Sequence, residues 1–222
     1  MFTHKNQQFH RLHNKGSHTC KKTVFSALAV LCASCIMGCG EKAPAFAADG
    51  STWDQNWTML GSVLGVEELD NGFSILENPM VLAGDDMHYA TWSTGEPTAY
   101  VNEDGEETDL YEAEIYCLAM GVQGDGTAEK TIADWMDAES ETYQVQDISE
   151  QTINGQDYTL LTYTVDSESN PNNRGVTAFT IFGQYCITAE ITCLEQYSGD
   201  EMSILTDFLT HCHYNADLSQ QD

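Results

Sequence analysis

The stretch "YQVQDISEQTINGQDYTLLTYTVD", Tyr143–Asp166, decides the fold. Two runs with strand character flank Asn154-Gly155, and Asn-Gly supplies the two positive-φ residues that a tight hairpin turn needs. The two runs therefore pair antiparallel. A second hairpin follows at once, with "GVTAFTIFG" leading through Gly183-Gln184 into "QYCITAEITCL". Upstream, "EAEIYCLAMGV" (Glu112–Val122) reads as a longer strand. Ala113, Ile115, Cys117 and Ala119 point one way and Tyr116, Leu118 and Met120 the other, so both faces are covered.

Helices follow the strands. Thr127 is the expected N-cap of one, with Ile132, Trp135, Met136 and Glu139 at helical spacing. Ser198 and Glu201 form a capping box for the other, and Met202, Leu205, Leu209 and Cys212 make an apolar stripe that Phe208 widens. Nearer the N-terminus, "FSILEN" after Asn71-Gly72, His88–Thr94 and Thr98–Val101 read as strands, and "NEDGEETD" as an acidic loop. Hairpin-linked strands with helices packed on them give an α+β fold with a mostly antiparallel sheet.

The segments "GFSILENP", "AEKTIADWM", "INGQDYTLLTYTV", "TAFTIFGQYCITAEIT" and "DEMSILTDFL" occur in an order that resembles the Mog1/PsbP-like α/β/α sandwich, over about Gly72 to Tyr214. That resemblance implies a non-enzymatic binding or assembly module. It carries no site residues onto this chain.

The N-terminus has a different grammar. Lys5, Arg11, Lys15, Lys21 and Lys22 precede an apolar run from Thr23 to Gly38, which is shorter than the roughly 20 residues of a membrane span. A basic head, a short apolar run and small residues after it form a secretory signal peptide. "Ile36-Met37-Gly38-Cys39" resembles the lipobox of bacterial lipoproteins, which makes Cys39 the expected lipidation site. "Ala45-Phe46-Ala47" offers a second cleavage point before Ala48. The expected organisation is a signal peptide over 1–38, a tether and N-terminal segment over 39–70, one domain over 71–214 and a polar tail over 215–222. Trp53 and Trp57, with Met59 and Leu60, lie between tether and domain, either packed on the core or exposed to a partner. The expected location is the outer face of the cell membrane, held by lipid.

Charge narrows the partners. The chain holds 35 acidic and 8 basic residues, and five of the basic ones precede Cys39. Beyond it Lys42, Lys130 and Arg174 stand against all 35 acids, a net −32. Nucleic acid is excluded, because binding it requires Lys and Arg at the phosphates. Charge-driven binding to anionic lipid is excluded likewise. A protein or cationic ligand of unknown identity remains, besides the membrane reached through the lipid.

Four cysteines lie beyond the lipobox: Cys117, Cys186, Cys193 and Cys212. In an exported chain they are either disulfide partners or buried thiols. A final helix running back along the preceding strand would bring Cys212 near Cys186, so a Cys186–Cys212 bridge is favoured; Cys186 and Cys193 point to opposite faces of their strand. No C-x₂-C pair suits zinc, and His211 and His213 diverge too far to share a metal. His88 stands alone. "Gly61-Ser62-Val63-Leu64-Gly65" lacks nucleophile-elbow spacing, and the acidic loop from Asn102 to Asp109 departs from the EF-hand pattern. No catalytic residue, metal or cofactor is expected. The leading expectation is a membrane-anchored, extracellular, non-catalytic binding or assembly module. A cell-envelope hydrolase with an unrecognised site and a small solute- or cation-binding lipoprotein are the alternatives.

Overall fold

The computed structural model describes residues 57–76, 80–82, 87–101, 105, 107–122, 126–165 and 172–218. The expected signal peptide, Cys39, Trp53 and both expected cleavage points lie outside the described residues.

The hairpin at Asn154-Gly155 forms as its sequence dictates. β9 (Gln144–Ile153) pairs antiparallel with β10 (Gln156–Thr164), and the turn residues have φ of 50° and 78°. The second hairpin joins β11 (Asn172–Phe182) to β12 (Tyr185–Leu194). β12 pairs with β8 (Ala113–Gly121), and β8 with β5 (Met87–Thr94). Two short strands, β3 (Ser74–Ile75) and β4 (Met80–Leu82), pair with the outer side of β5. The main sheet thus runs β3-β5-β8-β12-β11-β10-β9, with β4 beside β3, and all pairings are antiparallel. One edge is broken into two short pieces, while the other is the ten-residue β9.

The helices take opposite faces. α1 (Ala128–Thr142) starts at Thr127, whose hydroxyl accepts from the Lys130 amide, and packs over β11, β12 and β9. It covers the face that carries Cys186, whose Sγ donates to the Ala128 carbonyl. α2 (Glu201–Thr210) covers the other face, and Phe208 meets Trp92 edge-on at 4.9 Å. Its N-cap is Asp200, which accepts from the Ser203 amide, rather than Ser198 of the expected capping box. Arg174 fixes the approach to α2. Its guanidinium donates to the carbonyls of Leu194, Glu195 and Tyr197 and pairs with Glu201.

Three boundaries differ from the sequence expectation. The domain begins before Asn71, because β1 (Trp57–Leu60) and β2 (Leu64–Glu67) are part of the core, with Leu60, Leu64 and Val66 fully buried. α2 stops at Thr210, and Cys212 opens β13 (Cys212–Tyr214), which pairs with β2. Asn215 then bonds to the Ser62 carbonyl and Leu218 packs on the core, so the fold continues into the segment read as a tail. The acidic loop is also partly ordered, since β6 (Thr98–Val101) pairs with β7 (Glu107–Leu110).

Candidate functional site

Strand register assigns every side chain of the main sheet to a face, because directly opposed residues point the same way. On the α2 face, rows such as Trp92, Ile115, Ile191 and Val176 are apolar throughout. These residues join Leu205, Phe208 and Leu209 in the main core.

The α1 face is built differently. One row across four strands is Ser93, Glu114, Thr192 and Gly175. The adjacent row is Thr91, Tyr116, Glu190 and Thr177. Among the described residues, Ser93, Glu114, Thr177 and Thr192 are four of the five buried polar or charged side chains, and Glu114 is only 5% exposed. Tyr163 extends the first row onto β10 and bridges to the second. Its phenol donates to the Glu190 carboxylate, and its ring stacks on Tyr143 at 4.2 Å. Gly175 makes this crossing fit, since a Cβ there would overlap the Tyr163 phenol and the Ile191 carbonyl. Burial, and then the Glu190 charge, push the Tyr163 phenol well above its ordinary pKa. Tyr89 lies against Tyr116 at 5.6 Å between ring centres. Hydroxyls, two carboxylates and tyrosine rings so placed accept hydrogen bonds and favour cationic groups.

Histidines and thiols lie elsewhere. His88 belongs to the α2 face, opposite Glu114 and Glu190, and its ring rests on the backbone at Gly61 in the turn between β1 and β2. His213 meets Trp57 edge-on at 4.9 Å, on the two strands that flank β2, while His211 caps α2 with its Nδ1 against the Asp207 carbonyl. All four cysteines beyond the lipobox are free and buried. Burial pushes the thiols of Cys117 and Cys193 up to about 12 and that of Cys186 up to about 11, and raises Cys212 as well.

The expected Cys186–Cys212 bridge does not form. Cys186 is under α1, whereas Cys212 lies on the α2 side with its Sγ donating to the Phe208 carbonyl. The sheet separates them, because the returning helix covers the face that Cys193 occupies and not that of Cys186. Among the described residues, no group of three or more His, Cys, Asp or Glu side chains is placed to hold a metal.

The polar rows escaped the sequence reading. Glu114 and Glu190 were lost among 35 acidic residues; the available signal was a glutamate on one alternation phase of an otherwise apolar strand.

No protein-family model matches the chain, and no curated protein is significantly similar to it. Among solved structures, the cyanobacterial PsbP protein CyanoP of Synechocystis sp. PCC 6803 aligns at 14% identity and a TM-score of 0.40, over 68% of this chain and 86% of its own. The protein of unknown function PA94 from Pseudomonas aeruginosa aligns at 13% identity and a TM-score of 0.29, over 46% of this chain and 85% of its own.

Proposed function

We propose that the chain is an exported lipoprotein, anchored by Cys39 to the outer face of the cell membrane, whose domain is a non-catalytic binding or assembly module of the Mog1/PsbP-like type. The observation that carries the binding reading is the state of the reactive side chains. The four thiols of the domain are sealed and held protonated by burial. The His88 imidazole is on the opposite face of the sheet from the buried Glu114. A hydrolase needs a nucleophile, a base and an orienting group within reach of one another. A helix on each face of an antiparallel sheet supports the α/β/α arrangement. For the anchor, the support is the basic head, the apolar run and the residues "IMGC". Two or three acyl chains hold a protein stably where one does not.

The test is metabolic labelling with palmitate. The wild type should be labelled and membrane-bound, and Cys39→Ala should be unlabelled and released into the medium. Labelling that persists in Cys39→Ala removes the anchor.

A further inference from the structure

We infer that the outer edge of β9, which no other strand among the described residues pairs with, is a docking strand for an extended, cationic peptide segment of a partner protein. This rests on the reading of the domain as a binding module and names the surface that does the binding. The two-residue turn at Asn154-Gly155 makes Ile153 and Gln156 a hydrogen-bonded pair. From there the backbone alternates. Ile153, Gln151 and Ser149 turn their amides and carbonyls toward β10, and Thr152, Glu150 and Ile148 turn theirs outward. Register with Asp157, Thr159 and Leu161 sets the side chains of these three outward residues on the α1 face. Ile148 is 53% exposed there, one of three large apolar side chains exposed among the described residues.

Sheet edges are normally guarded by lysine, proline or short strands. The opposite edge follows that rule with β3 and β4. β9 is ten residues long and contains neither Lys nor Pro. What it does carry is acid, Asp147 and Glu150, both exposed. No Lys or Arg occurs between Lys130 and Arg174. Those carboxylates repel a second copy of a chain whose part beyond Cys39 carries a net −32, and select a cation. A partner strand paired antiparallel would set a Lys or Arg opposite Glu150 and, two residues later, an apolar side chain opposite Ile148.

The probe is a decapeptide of the repeat lysine-threonine-valine-threonine, in which lysine and valine alternate along one face, titrated into the protein as isolated from the expressing cell, with amide exchange read by residue. Saturation should slow exchange at Ile148, Glu150 and Thr152 and leave Ser149 and Gln151 unchanged. Glu150→Pro deletes an outward amide and a carboxylate without touching the β10 ladder. It should weaken binding at least tenfold with its melting temperature retained. Ile148→Lys, a substitution at an exposed position, should weaken binding comparably and serves if the proline variant misfolds. Three results overturn the inference: equal binding of the same peptide with glutamate in place of lysine, undiminished binding by the variants, or dimerisation of the free protein along β9. A peptide that never binds also sinks it, while palmitate labelling at Cys39 would still stand.

Discussion

Trp92, Ile115, Ile191 and Val176 form a row on one face of the sheet, and Thr91, Tyr116, Glu190 and Thr177 form the neighbouring row on the other, on the same four strands. One residue of shift along each strand exchanges hydrocarbon for hydroxyl and carboxylate. The apolar row on the α2 face is stabilised by burial, which has no directional demand. The α1 face makes a directional demand at each buried polar atom: Tyr163 meets it by donating to Glu190, whereas the Thr177 hydroxyl has no hydrogen-bond partner among the described residues. The two faces teach that a strand apolar on one phase need not be so on the other, although a helix packs on each face.

Mutations can break this contrast. The largest effect belongs to the apolar face: Phe208→Ala should cost about 3–5 kcal/mol by urea denaturation with an unchanged m-value. A loss below about 1 kcal/mol would mean that α2 contributes little to that core. On the polar face, Tyr163→Phe removes the donor to Glu190 and should cost about 1.5–3 kcal/mol, as hydrogen bonds to charged acceptors do. No loss would show Glu190 to be satisfied by other groups. The smallest effect has the opposite sign. Thr177 is 1% exposed, and its hydroxyl has no hydrogen-bond partner among the described residues. Thr177→Val should therefore stabilise by roughly 1 kcal/mol; destabilisation would show that the hydroxyl is used.

The sequence made legible what local rules decide. Asn154-Gly155 and Gly183-Gln184 specified both hairpins, and Thr127 specified the start of α1. Ser198 was outcompeted by Asp200, which stands two residues nearer the helix and has a better-placed carboxylate. The remainder depended on which face each helix covers, and no local pattern states that. The Cys186–Cys212 pairing failed on this point alone. β1 and β2 were not read as strands, because they are only four residues each and find their third strand far along the chain. The polar rows were missed because register across four strands, not spacing within one, assembles them.

The three-stranded sheet β1-β2-β13 also governs the order of assembly. β2 is the middle strand, and Val66 finds its partner in Cys212 near the end of the chain. A growing polypeptide can make the hairpins while their residues emerge, but it cannot close this small sheet until its last strand is synthesised. Pairings of such long range are slow to form. A nascent chain of this design stays incompletely closed until β13 has been made, and a truncation before Cys212 leaves β2 with an open edge.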